Sequence, residues 1–200
     1  MIVLRDLFKV KLDKPSIATI GTFDGVHFGH QKIIKSLISK SKETDLNSIL
    51  ITFDPHPRKV INPNSKIELL NTTDEKVDIL KNLGLGYLII HEFSVSFSNI
   101  DAEEFVKILI QKLNIRKLIV GYDHRFGKGR EASVTDLKKY SSEFNFVLDE
   151  IDAQEIEKIA ISSTKIRNSI NEGDLKTTKI YLGRFFSLTG KVVKGDGLGK

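Results

Sequence analysis

The sequence predicts an α/β protein built on a doubly wound, parallel, five-stranded sheet. Three observations carry that expectation: five apolar runs rich in β-branched residues recur along the chain, segments of helical period lie between them, and the connections are long enough for crossovers. The first run, SIATIGTF (16–23), is followed by GHQKIIKSLISKSKE, in which Ile33, Ile34, Leu37 and Ile38 make one apolar stripe. After the second run, NSILITF (47–53), Thr72 with Glu75 reads as a capping box for a helix through Val77, Leu80 and Leu83 that Gly84 ends. The third run is YLIIHEF (87–93); Asp101 with Glu104 then opens a helix through Phe105, Leu109 and Leu113. RKLIVGY (116–122) leads to a helix capped by Ser133 that contains Leu137 and Tyr140, and FNFVLDEI (144–151) is the fifth run. Two shorter helical stretches follow, stopped by Gly173 and Gly183. From FFSLTGKVVKGDGLGK onward the pattern alternates like an antiparallel strand and ends in glycines, so a domain boundary is expected at 184/185, with 185–200 too short to fold alone.

Composition narrows the chemistry. With 40% hydrophobic and 28% charged residues, the 200-residue chain can bury a core, and its lack of cysteine removes disulfides, thiolate nucleophiles and cysteine-ligated zinc. No apolar run approaches the roughly 18 residues of a membrane span, and the opening MIVLRDLFKVKLDK is too charged for a signal peptide, so a cytoplasmic protein is expected. The net charge of +5 is uneven: residues 1–164 carry 23 basic and 23 acidic side chains, whereas 165–200 carry 8 and 3. A tail holding Lys176, Lys179, Arg184, Lys191 and Lys194 suits nucleic acid, a membrane surface or a phosphorylated small molecule, and charge alone does not choose among them.

In open parallel sheets, ligands bind at the carboxyl ends of strands, so the loop after the first run is the first place to look. It reads Gly21-Thr22-Phe23-Asp24-Gly25-Val26-His27-Phe28-Gly29-His30 and runs straight into a helix. Gly21, Gly25 and Gly29 let the backbone approach a ligand, and the free N–H groups of the new helix favour phosphate. His27 and His30 add two side-chain donors at the same mouth. The constellation reads as a nucleotide triphosphate cradle, although HxxH spacing by itself also suits half of a metal site or ordinary surface residues. A second cluster, Ile161-Ser162-Ser163-Thr164-Lys165-Ile166-Arg167, places hydroxyls, helix N–H groups and two cations at the same sheet edge, where a second phosphate clamp is expected. Alone, such a string is a helix cap. The prolines of Asp54-Pro55-His56-Pro57 stiffen a loop at a strand end, which suits a binding rim and equally any turn. His91 reads as a core or strand-end histidine, and Gly127 to Glu131 as a loop over substrate.

TFDGVHFGH and ISSTKIR resemble the paired signatures of the HxGH nucleotidyltransferases. More closely, GTFDGVHFGHQKII, TFDPHPRKV, LIVGYDHRFGKG, ISSTKIR and LGRFFSLTGKVVKG, in that order over about residues 16–200, are similar to the prokaryotic bifunctional FAD synthetases, a riboflavin kinase fused to an FMN adenylyltransferase. The resemblance implies a Rossmann-like nucleotidyltransferase fold for 1–184, with 185–200 as linker and first strand of an incomplete kinase barrel. It implies FMN and ATP as substrates, FAD and pyrophosphate as products, Mg²⁺ arriving with ATP, no metal held by protein side chains, and neither nucleic acid nor membrane as partner. His27, His30, Ser163, Thr164 and Arg167 would bind the ATP phosphates, with Gly21, Phe23, Asp24, Gly25, Gly29 and Ser162 completing the cradle. Asp123 would help hold the reacting groups, and Asp54, Pro55, His56, Pro57, Arg125 and Phe126 would form the flavin side. Position 124 is His where the family usually has Phe, and the kinase PTxN motif is not in this sequence. Another HxGH cytidylyl- or adenylyltransferase, or a tRNA-binding protein using the basic tail, is the alternative reading.

Overall fold

The computed structural model describes residues 1–151 and 161–195. Its sheet has six strands, all parallel: β1 (Ile2–Arg5), β2 (Ser16–Ile20), β3 (Asn47–Phe53), β4 (Tyr87–His91), β5 (Ile115–Gly121) and β6 (Val147–Ile151), in the order β1-β4-β3-β2-β5-β6. All five expected strands are present. The sixth, β1, is a four-residue edge strand paired with Tyr87–Ile90; it is largely exposed, and its apolar Ile2–Leu4 stretch is cut short by Arg5 and Asp6, so it lacks the length by which the others announce themselves.

Between the strands lie α1 (Phe28–Glu43), α2 (Pro57–Ile61), α3 (Thr73–Asn82), α4 (Val95–Ser98), α5 (Ala102–Leu113) and α6 (Val134–Glu143), with α7 (Ser163–Asn171) and α8 (Leu175–Leu182) after β6. The expected caps are in place: Thr72 and Glu75 form a reciprocal box at α3, and Asp101 accepts the Glu104 N–H at 2.8 Å. Alternate strand residues bury on opposite faces. Ala18, Ile49, Ile51, Ile89 and Leu118 pack with Phe105, Leu109, Leu113 and Leu137 on one side. Ile17, Leu50, Leu88 and Ile119 pack with Ile34, Leu37 and Leu80 on the other. A third, smaller cluster of Leu70, Ile166 and Leu182 fastens α7 and α8 to the loop before α3. No helix among the described residues is long and apolar enough to cross a membrane.

The alternation after Phe186 does not make a strand within residues 184–195, contrary to the sequence expectation. Period-two patterning becomes a strand only when another strand takes its N–H and C=O groups, and here Leu188, Val192 and Val193 remain exposed. The Thr189 N–H donates to Glu75 Oε1 at 2.8 Å. The rest of the expected glycine turn, 196–200, lies outside the described residues.

Candidate active site

Chain progression from β2 through β3 to β4 runs one way across the sheet, and β5 and β6 then lie on the other side of β2. The crevice at the carboxyl ends of β2 and β5 is therefore the topological switch point, where open α/β sheets bind ligands. The loop after β2 closes it with a tight turn. Phe23, Gly25 and Val26 all have positive φ (46°, 81° and 38°), and a Cβ on Gly25 would lie 2.6 Å from Leu70 Cδ1. Gly25 is thus required by the turn and by its packing, rather than by room for a ligand.

Asp24 holds this turn to the second motif. Its carboxylate is almost fully buried; Oδ1 accepts the Leu70 N–H at 3.0 Å, and Oδ2 pairs with Arg167 Nη2. The Asp24 carbonyl accepts from Ser163 Oγ at 3.0 Å, and the Gly25 N–H donates to Asn71 Oδ1 at 2.7 Å. Arg167 also donates from Nε to the Glu68 carbonyl. Ser162 caps α7 by accepting the Lys165 N–H at 3.3 Å, while Thr164 lies exposed on its first turn. The N-termini of α1 and α7 are in this way brought to one place, as the two sequence motifs lead one to expect.

His27 caps α1: its Nδ1 accepts the His30 N–H at 3.4 Å, which leaves the proton of the neutral ring on Nε2. The two imidazoles stack at 3.6 Å with an interplanar angle of 19°. Burial pushes His27 down to about 4, helped by the Arg184 charge, and burial beside His27 and Lys76 holds His30 well below the usual histidine value. Both rings are neutral at pH 7 and offer hydrogen bonds, so positive charge at the mouth comes from other side chains. Among the described side chains only His30 Nδ1 is buried without a hydrogen-bond partner.

Lys76 and Arg184 supply that charge close to the loop. Lys76 Nζ donates to the Thr22 carbonyl at 2.7 Å and to Thr52 Oγ1 at 3.4 Å; burial lowers its pKa against the pull of Asp24 and Asp54. Arg184 turns inward onto the carbonyls of Gly25, Val26 and Leu182, instead of joining an exposed basic tail. The sequence contained a signal for Lys76, which lies one helical turn before buried Leu80 and so on the inward stripe of α3. Arg184 carried none, because its target is reached only through the tertiary fold.

The Asp54 to Pro57 loop follows β3. Thr73 Oγ1 donates to Asp54 Oδ2 at 2.7 Å, the Asp54–Pro55 bond is cis, and His56 caps α2 by accepting the Arg58 N–H at 3.1 Å. His56 lies in the field of Asp24, Lys76 and Arg167, with burial as the main cause of its lowered pKa. Gly29 packs beneath His27, and Gly21 against Phe23. On the other side of β2, Asp123 and Arg125 are exposed on the loop after β5, while Phe126 is buried 6.4 Å from Phe105. Phe105, Phe97, Phe93 and Phe53 continue an aromatic row with neighbouring centroids 5.5 to 5.9 Å apart. Phe93 and Phe97 belong to no motif, and only the packing places them in this row. His91 is indeed a strand-end core residue, accepting the Leu7 N–H at 3.2 Å, and Lys128–Arg130 form a short turn.

His124 stacks beside Phe126 at 6.0 Å and, like His27, is pushed down to about 4 by burial. Both values lie below the ordinary 6.5, so the unfolded chain binds more protons between those limits. The stability due to neutral burial is complete above about pH 6.5 and is lost as pH falls toward 4. Urea unfolding at pH 4.5 should reveal a loss of about 2–3 kcal/mol per histidine relative to pH 7. His124→Phe should shrink that loss by one histidine's share; an unchanged difference would count against this origin.

A family model described as FAD synthetase matches residues 9–165. The chain is 36% identical over 192 residues to a protein of Buchnera aphidicola subsp. Schizaphis graminum named bifunctional riboflavin kinase/FMN adenylyltransferase, with 95% of this chain and 62% of that one covered. It is 33% identical over 190 residues to a Listeria monocytogenes protein named FAD synthetase, covering 94% of this chain and 77% of the other. A solved structure described as a macrolide-efflux protein from Streptococcus pneumoniae superimposes with a TM-score of 0.82 at 26% identity, over 93% of this chain and 72% of that one. The chain spans 60% to 64% of the length of the bifunctional relatives from Buchnera and Listeria. With most of its residues inside the matched model, this chain belongs to the FAD synthetase family.

Proposed function

We propose that this chain is a cytoplasmic FMN adenylyltransferase that transfers the adenylyl group of ATP to FMN, forming FAD and releasing pyrophosphate. The observation that carries the reading is the junction of the α1 and α7 N-termini through Asp24, Ser163 and Arg167 at the switch point of the sheet. Two converging helix N-termini, two stacked neutral imidazoles and a guanidinium suit a polyphosphate. The unpartnered His30 Nδ1 has room in its hydrogen bonding for a ligand at that end.

In the proposed step a phosphate oxygen of FMN forms a bond to the α-phosphorus of ATP, while the bond from that phosphorus to the bridging oxygen of pyrophosphate breaks. A phosphate monoester with its second pKa near 6 is mostly ionised at neutral pH, so no general base is required. The residues act by alignment and by countering charge. His27, His30, the N–H groups of α1, Thr164 and Arg167 take the ATP phosphates, and Asp24 aims Arg167. Asp123 is proposed to hold the reacting groups, and Arg125 to join the flavin side. Residues 54–57 and Phe126, at the end of an aromatic row, offer a planar ring system its flat partners. Mg²⁺ would arrive with ATP and would supply further positive charge against the phosphates.

Small molecules are the proposed partners, in place of nucleic acid or membrane, because Arg184 of the basic tail is committed to loop carbonyls. Residues 1–184 are proposed as the transferase unit and 185–200 as linker and opening stretch of a kinase barrel. Deleting residues 187–200 should therefore keep FAD formation within about twofold, since Glu75 loses the Thr189 contact but keeps the Thr72 N–H at 2.8 Å. A large loss in the deletion would contradict this division. The reading is tested by supplying ATP and Mg²⁺ with FMN, with riboflavin, and with other phosphorylated alcohols. FAD from FMN alone is expected; conversion of a different phosphorylated alcohol, with FMN untouched, would overturn the assignment.

A further inference from the structure

The turn that delivers His27 is held in conformations that side chains avoid. Val26 is β-branched and has φ 38°, directly after Gly25 at φ 81° and close to Phe23 at φ 46°. Such a backbone persists only where its surroundings fix it. The Val26 N–H has one local partner, the Phe23 carbonyl at 3.1 Å. The carbonyls are fixed from outside by two side chains. Gln31 Nε2 donates to the Val26 carbonyl at 2.9 Å and to the Leu182 carbonyl at 2.8 Å. Arg184 donates from Nη2 to the Gly25 carbonyl at 2.8 Å, and from Nη1 to those of Val26 and Leu182 at 3.3 Å each.

These contacts join three distant parts of the chain: the turn, the first turn of α1 and the end of α8. Gly183, at φ 67°, ends α8 and reverses the chain so that residue 184 returns over the loop; a Cβ there would lie 3.4 Å from the Gln31 side-chain amide. Leu182 is buried against Leu70 and Ile166, so the strap has a fixed base. The guanidinium fork spans adjacent carbonyls, which a single-point donor cannot do.

On the reading of adenylyl transfer given above, we propose that Arg184 is a positioning residue for this site. Its guanidinium, together with Gln31, holds the Gly25–Val26 turn so that His27 and the first N–H groups of α1 face the nucleotide phosphates. Released from the fork, the two peptide planes can leave the left-handed region, and the His27 cap on His30 and the ring stack go with them. The aromatic row proposed for the flavin has no contact with Arg184 among those described, so the defect should fall on ATP and turnover and spare FMN.

In the full chain, Arg184→Ala should lower kcat/KM for ATP by about 10- to 100-fold, the scale of a misplacement of roughly 1 Å, with KM for FMN within about twofold. Arg184→Lys should recover part of the loss. Gln31→Ala should move the same parameters in the same direction by a smaller factor. Amide exchange of residues 23–30 should quicken about tenfold or more in Arg184→Ala, while the core strands stay protected. If Arg184→Ala does not fold, Arg184→Lys and Gln31→Ala decide the matter by the same readouts. ATP kinetics and exchange both unchanged in folded variants would overturn the proposal. Should the parent chain make no FAD, the functional reading falls, and exchange at 23–30 alone then supports or refutes the positioning role.

Discussion

Replacing Arg167 by leucine should cost about 3–5 kcal/mol of folding stability, the usual penalty for leaving one partner of a buried pair uncompensated. The Asp24 side chain is only 4% exposed and Arg167 16%, so solvent cannot stand in for the lost guanidinium. The carboxylate would keep a single partner, the Leu70 N–H. Urea unfolding at pH 7 measures the loss. A double variant, Asp24→Asn with Arg167→Leu, should recover much of it, because no buried charge then lacks a partner. FAD formation should fall in both variants, since neither keeps the Arg167 guanidinium that is proposed to meet the phosphates. Parent-like stability in Arg167→Leu would mean that the pair does not fasten α7 to the loop.

His30→Ala isolates the chemistry better. The loss of one preorganised donor of this kind costs about 3 kcal/mol, or roughly a hundredfold in kcat. His30 lends its backbone N–H to the His27 cap, and that survives the substitution; its ring loses only the contacts to His27 and Phe23. Stability should thus fall by about 1 kcal/mol or less while turnover collapses. Steady-state kinetics beside thermal unfolding separate the two effects. Turnover near that of the parent would remove His30 from the proposed phosphate site.

The sheet was readable because β2 to β5 have buried apolar centres within runs of five to seven residues, and β6, though none of its residues is fully buried, follows the FNFVL run that marks it. β1 escaped because a short exposed edge strand has no burial pattern to betray it. The two ligand motifs were readable because glycines, histidines and hydroxyls at a helix start are a local signal. What they do to one another was not. Asp24 reads as one more member of the cradle, with no partner assigned, until the fold places Arg167, 143 positions later, on its carboxylate. Arg184 reads as a tail cation for the same reason, and the alternating segment after it reads as a strand because periodicity cannot reveal whether a pairing partner exists. The aromatic row became visible only through packing, whereas Lys76 sits on a stripe that the helical period of α3 already marks.

The central claim is that the α-phosphorus of ATP, and no other, is transferred to FMN. The direct measurement supplies the chain with FMN, Mg²⁺ and ATP labelled at the α-phosphorus, in parallel with ATP labelled at the γ-phosphorus. The account predicts α-label in FAD, one pyrophosphate released per FAD, and γ-label only in pyrophosphate. Label appearing in flavin from the γ-position, or α-label never leaving the adenosine phosphates while the folded chain binds ATP, would contradict it.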